Sequence, residues 1–407
     1  MALIVKKFGG SSVRDVERIY NVARIITESY REGNDVVVVL SAQGDTTDEL
    51  IEKALEVNPN PSRREMDMLL STGEQISIAL CAMAIEKLGF PVISLTGWQV
   101  NLRTDSNYGN ARIKKLEGDR IRAELHKRNI VIVAGFQGIN KYGDITTLGR
   151  GGSDTTAVAL AAELGADLCQ IYTDVDGVYT ADPRIVPNAI KLDEITFDEM
   201  LELASLGAQV LQNRSVELAK RFGVHLEVLS SLESKPGTIV KEVTTRMEKT
   251  LISGVAKDDN VASVSLIGLQ DVPGVAYKIF SVLAKNRVNV DIILQSIGRE
   301  NTKDITFTVA KENLGLVTKI LKDNQGVLAF KDMTTNDKLS KVSIVGAGMI
   351  NNPGIAAQMF EALYSVGVNI QMISTSEIKV SVLIDKSESD IALKAVHDKF
   401  FATRSDH

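Results

Sequence analysis

The stretch LIVKKFGGSSVRDVERIYNVARIITESY spans residues 3–30. It opens with a six-residue run of strand length and then a glycine pair. Beyond the pair, Ile19, Val22, Ala23 and Ile26 recur at the spacing of one helix face. DVVVVLS (35–41), FPVISL (90–95), NIVIVAGF (129–136) and DLCQIYT (167–173) read as further buried strands, rich in β-branched residues. Between them lie helical patterns such as REMDMLLSTGEQISIALCAMAIEKLG (64–89) and GDRIRAELHKR (118–128). Strands alternating with helices predict an α/β domain of three layers, a parallel sheet covered on both faces. Ligands of such sheets bind beyond the carboxyl ends of the strands. KFGGSS, LSAQGDTT, GFQG and YTDVDGVY all stand there.

After about residue 258 the texture changes. VSLIGLQDVPGVAYKIFSVLAKNRVNVDIILQS (264–296) and VSIVGAGMINNPGIAAQMFEALYSVGVNIQMISTS (342–376) share a Pro-Gly turn, an amphipathic helix, Val-Asn-Val/Ile and a terminal serine in register. They predict two α+β units of ferredoxin-like strand–helix–strand pattern. The chain then divides into 1–240, a 241–258 linker, 259–333 and 334–407. The second copy lacks a final strand, and LISGVA (251–256) is the candidate to complete it. The G-x-G of VSIVGAG lacks the third glycine of a dinucleotide loop, and the repeat explains it better.

The 407 residues are 44% apolar and 24% charged, with a net charge of −6, as in a soluble globular protein of several domains. That charge argues against nucleic-acid or anionic-membrane partners. Cys81 and Cys169 sit in apolar runs and read as reduced buried thiols. The N-terminal apolar run is too short for a signal peptide and no segment approaches a membrane span, so a cytoplasmic location is expected.

The chemistry-bearing residues cluster in a few turns. KKFGGSSV offers Lys7 and a helix start, with Ser12 expected as N-cap, suited to an anion. LGRGGSDTTAVAL (148–160) repeats the device: Ser153 is the expected cap, Arg150 presents a planar fork for a carboxylate or phosphate, and Asp154 can favour the dipole, hold a metal or orient an ammonium group. IYTDVDGVYTADPR carries Asp174, Asp176, Asp182, Tyr179 and Arg184, a set for Mg²⁺, ribose or phosphate. STGE places Glu74 on an otherwise apolar helix, where a carboxylate wants a partner such as a substrate amine. Each of these also has an ordinary reading as turn or cap chemistry.

Taken together, KFGGSSV, LSAQGDTTDEL, STGEQ, GFQG, LGRGGSDTTA and YTDVDGVYTADPR resemble the aspartokinases, and the tandem repeat resembles their paired ACT domains. The resemblance implies an amino-acid-kinase domain followed by two ACT domains, and transfer of the ATP γ-phosphate to the β-carboxylate of L-aspartate, the first step toward lysine, threonine and methionine. By the same resemblance, Lys7 and Asp154 would be catalytic. Lys7, Phe8, Gly9, Gly10, Ser41, Thr173, Asp174, Tyr179, Asp182 and Arg184 would hold ATP with Mg²⁺. Thr47, Glu74, Phe136, Arg150, Gly151, Gly152 and Ser153 would hold aspartate, and no residue is assigned to a metal. Asp271, Gly274, Val275, Ala276, Asn289, Asp291 and Gln295 would form one site for lysine or threonine. Asn352, Gly354, Ile355, Asn369, Ile370, Ser374 and Thr375 would form its counterpart. Homo-oligomers through the ACT domains are implied, and Met247 is the candidate start of a shorter regulatory chain of the kind some members make. Gln209 replaces a lysine common in relatives, and NNPG (351–354) stands where many read SHPG, which leaves effector preference open. Two alternatives stand beside this reading: a kinase of another small amino acid, and a silent amino-acid sensor.

Overall fold

The computed structural model describes residues 2–206, 210–244, 251–296, 302–349 and 352–402. The chain forms two compact units: Met1–Tyr179, Ile190–Ser205 and Gln209–Met247 in the first, and Thr180–Ala189, Leu206–Ala208 and Glu248–His407 in the second.

The first unit is built on a sheet of β1 (Leu3–Phe8), β2 (Asp35–Leu40), β3 (Val92–Leu95), β6 (Ile130–Ala134), β9 (Leu168–Thr173), β10 (Glu194–Thr196), β11 (Leu226–Ser230) and β12 (Thr238–Lys241), in the order β10-β12-β11-β9-β1-β2-β6-β3. All neighbours are parallel except β11 and β12. Short strands β4 (Arg103–Thr104), β5 (Ile113–Lys115), β7 (Gln137–Ile139) and β8 (Ile145–Thr147) make a separate small sheet. The helices are α1 (Val16–Arg31), α2 (Thr46–Val57), α3 (Arg63–Lys87), α4 (Asp119–His126), α5 (Gly152–Leu164), α6 (Phe197–Ser205) and α7 (Asn213–Phe222).

Val36, Val38 and Leu40 pack with Ile19, Val22 and Ile26 of α1 and Ile78, Cys81 and Ile85 of α3. Each such side chain contributes about 1.5–3 kcal/mol on burial. Val37 and Val39 alternate to the other face and are equally buried, and α5 packs against β1, β2 and β9.

Three expectations need correction. Ser12 does not cap α1: Asp15 does, accepting from Arg18 N–H at 2.9 Å, while the Ser12 hydroxyl donates to Ser231 at 2.8 Å. Ser153 does not cap α5, which starts at Gly152, two residues before the helix such a cap would begin, behind Gly151 in the left-handed region (φ +69°) with no side-chain cap. And α3 is long and apolar enough to cross a membrane by length and composition, although half of that window is buried inside the protein.

In the second unit, β13 (Gly254–Gln270), β14 (Ile293–Gln295), β15 (Thr302–Val309), β16 (Asp332–Val345), β17 (Met372–Thr375) and β18 (Lys379–Asp385) form one sheet ordered β14-β15-β13-β16-β18-β17. β13 and β16 are antiparallel and each serves both repeats: Gly254–Asp258 pairs with Lys341–Val345, and Ser263–Ile267 with Asp332–Asn336. Helices α8 (Val275–Lys285), α9 (Leu314–Asp323) and α10 (Gln325–Leu328) cover the first copy; α11 (Ile355–Ser365) and α12 (Ser389–Phe401) cover the second. Ala181 and Val186 belong to the second copy's core, and Thr180 Oγ1 lies 2.9 Å from Nε2 of the buried His397.

Candidate functional site

Four adjacent strands, β9-β1-β2-β6, end side by side, and the candidate residues of the first unit gather beyond their carboxyl ends. Lys7, near the end of β1, is buried with its Nζ 2.6 Å from Asp154 Oδ1 in the first turn of α5, an ion pair not aligned as a hydrogen bond. Phe8 is fully buried and stacks on Tyr172, so only its backbone faces the turn. Its carbonyl accepts from Ser41 N–H, and Gly10 O accepts from Gly44 N–H, tying the glycine turn to the loop after β2.

That loop is joined in turn to α3. Glu74 Oε1 accepts from Ala42 N–H at 3.2 Å; Oε2 is buried and has no hydrogen-bond partner. Burial lifts the Glu74 carboxyl to about 8. The approach depends on Gly73, where a Cβ would stand 2.8 Å from the Cβ of Ala42. Thr47 is half-buried in the first turn of α2.

On the β6 side, Phe136 holds a left-handed conformation (φ +67°) that a bulky residue adopts only under constraint. Its N–H donates to Thr156 Oγ1 and its carbonyl accepts from Leu148 N–H. Gly152 lies against Phe136, and at Gly151 a Cβ would run into the Gln212 side chain. Arg150 projects exposed from this loop with no ion-pair partner among the described residues. The ends of the strands thus carry a buried cation, a buried carboxylate with an unpartnered oxygen and, on the neighbouring loop, an exposed guanidinium.

At the end of β9, Thr173 closes a turn through Val175, and Asp174 is exposed. Tyr179 donates to Asp176, which also pairs with Lys191. Asp182 and Arg184 lie in the second unit and pair with each other at 2.8 Å. Among the described residues no group of three His, Cys, Asp or Glu is placed to hold a metal.

The residues 2–230 match the amino acid kinase family model, and 264–325 and 342–400 match an ACT domain model. The aspartokinase of a Bacillus species (strain MGA3) is 51% identical over 98% of this chain and 97% of its own. The chain belongs to the aspartokinases. It is accordingly a phosphotransferase of the amino acid kinase family, with ACT domains. Among solved structures, E. coli aspartokinase III in complex with aspartate and ADP matches with a TM-score of 0.83 at 26% identity, covering 98% of this chain and 100% of that one. The same enzyme in complex with lysine and aspartate gives 0.76 at 26% identity, covering 98% and 99%.

In the second unit, Asn352, Gly354 and Ile355 line a pocket of about 320 Å³ together with Ser376, the terminal serine of the repeat, and Glu377, which no sequence motif marks; Asn369, Ile370, Ser374 and Thr375 do not line it. Val275 and Ile355 occupy corresponding helix starts and are core residues, so their side chains are largely committed to packing. Gly274 and Gly354 are left-handed (φ +92° and +96°) at the two Pro-Gly turns. In the first copy, Asp271 pairs with Lys303 at 2.7 Å and Asp291 with Lys341 at 2.5 Å; Ala276 and Gln295 are exposed, and Asn289 leads into β14. A depression of about 510 Å³ beside α3 and Trp98 shares none of the expected site residues. Gln209 and Met247 lie outside the described residues.

Proposed function

We propose that the chain transfers the γ-phosphoryl group of ATP to the β-carboxylate of L-aspartate, giving 4-phospho-L-aspartate and ADP. One observation carries the reading: a buried carboxylate with an unpartnered oxygen, Glu74, joins through Ala42 and the glycine turn to the strand bearing the buried Lys7–Asp154 pair. Glu74 receives the substrate ammonium and Arg150 its α-carboxylate. A carboxylate oxygen then attacks the γ-phosphorus while the bond to the ADP oxygen breaks, so no general base is needed. The chain's part is to bring two anions together and neutralise them. Lys7 supplies that charge at the transferring group, held in place by Asp154. Thr47, Phe136 and Ser153 shape the aspartate pocket, while Ser41, Thr173, Asp174 and Tyr179 hold the nucleotide, with Asp182 and Arg184 following on the same segment. Mg²⁺ bound to the nucleotide phosphates would neutralise further charge. The aspartate and ADP held by E. coli aspartokinase III support this assignment.

The ACT unit is read as an effector unit for lysine or threonine, supported by the pocket at Asn352–Ile355 and by the lysine complex of the E. coli enzyme. The exposed apolar residues Ile293, Leu294 and Ile373 on the edge strands β14 and β17 favour association of chains through this unit. Two unpaired buried thiols suit a reducing cytoplasm. The test is ADP formation with Mg-ATP and L-aspartate, with hydroxylamine present to trap the acyl phosphate as a hydroxamate. Aspartate-dependent hydroxamate, suppressed by lysine or threonine, is expected; effector binding without turnover would favour the silent sensor instead.

A further inference from the structure

The loop that presents Arg150 is held by two charged side chains outside the motifs of the site. Asp67 lies two turns before Glu74 on α3 and is 1% exposed. Its Oδ2 accepts from Gly109 N–H and Thr147 N–H, each at 2.9 Å, and its Oδ1 accepts from Thr147 Oγ1 at 2.8 Å. Arg214, in the first turn of α7, donates from Nη1 to Leu148 O at 2.9 Å and from Nη2 to Ala111 O at 2.8 Å. The two segments are also joined directly, Ala111 N–H donating to Thr147 O at 2.8 Å. The carboxylate thus collects the N–H groups of segments 109–111 and 147–148, and the guanidinium collects their carbonyls. Gly149 and Arg150 leave this frame immediately, and a Cβ at Gly149 would stand 3.2 Å from Gly109 O.

We propose that Asp67 and Arg214 are positioning residues for the amino-acid half of the site, fixing the 109–111 and 147–148 segments so that Arg150 meets the substrate carboxylate. The inference rests on the reading that Arg150 receives that carboxylate. A frame of this kind acts on substrate placement, and displacements near 1 Å in such a site can cost about a hundredfold.

The test compares Asp67→Ala, Asp67→Asn, Arg214→Lys and Arg150→Ala by steady-state kinetics with aspartate and ATP varied separately. Asp67→Ala is expected to raise KM for aspartate about tenfold or more while KM for ATP stays within about twofold. Asp67→Asn should restore aspartate KM to within about threefold, because its Oδ1 can accept both N–H groups and its Nδ2 can donate to Thr147 Oγ1. Arg214→Lys, whose ammonium replaces the planar fork, should raise aspartate KM about fivefold, and it keeps the inference testable if Asp67→Ala fails to fold. A purely structural frame would lower Tm and leave aspartate KM unchanged. Folded Asp67→Ala or Arg214→Lys protein with wild-type aspartate KM, alongside a raised KM in Arg150→Ala, overturns this inference alone. Unchanged KM in Arg150→Ala overturns the reading of the site beneath it.

Discussion

Glu74 is mostly protonated at pH 7 in the free protein, since burial holds its carboxyl near 8. A substrate ammonium beside Oε2 favours the ionised form, so aspartate binding at pH 7 should release protons, up to about one per site. Calorimetric titrations in buffers of different ionisation enthalpy measure that number, and binding without proton release contradicts the assignment. The same raised pKa bears on stability. It contributes stability that is full below the ordinary 4.5 and is lost as pH rises through 8. Glu74→Gln, which cannot ionise, should therefore gain on the wild type by roughly 1.4 kcal/mol for every pH step of one between 4.5 and 8. The same variant should lose aspartate binding. Glu74 is legible in the sequence as a carboxylate on an apolar helix. Asp67, within MDMLL, carries a similar signal, but its partners lie 42 and 80 positions away, where no local pattern reaches.

At the scale of elements, the strands and long helices follow from periodicity, because burial on both sheet faces and on one helix face writes itself into composition. Helix starts do not. At Ser12 the hydroxyl is drawn to Ser231 and Asp15 takes the cap, while at α5 Gly151 turns the chain without any side-chain cap. The first outcome depends on a tertiary neighbour, 219 positions away, that competes for the same hydroxyl. Gly73 sets local propensity against packing. Glycine to alanine inside a helix gains about 1 kcal/mol from propensity, yet here the new Cβ would press at 2.8 Å on the Cβ of Ala42. Gly73→Ala is expected to lower Tm and to raise KM for aspartate about tenfold by loosening the Ala42–Glu74 hydrogen bond. A raised Tm with unchanged KM would show that propensity wins and that the approach has slack.

Over the whole molecule, the repeat is plain in the sequence, but its assembly is not. Each copy reads as its own α+β unit, whereas β13 and β16 run through both and make a single six-stranded sheet, a matter of register between strands about 80 residues apart. Nor does composition disclose that residues 180–189, which follow the loop after β9, belong to the ACT unit. There the buried His397 stacks on Phe401, and burial lowers its pKa against the opposing pull of Asp398, 3.7 Å away. A histidine whose folded pKa lies below 6.5 contributes stability above that value and loses it as pH falls through it. Between pH 7.5 and 5.5 the Tm of the wild type should fall further than that of His397→Asn, and parallel curves would contradict this.

Lys7, held against Asp154, is proposed to neutralise the transferring phosphoryl group. The most direct measurement is steady-state ADP release by Lys7→Ala, shown folded by circular dichroism, with aspartate varied at saturating Mg-ATP. Turnover is expected to fall about a thousandfold, some 4 kcal/mol of transition-state stabilisation, with KM for aspartate within about threefold of the wild type. Near-normal turnover would contradict it.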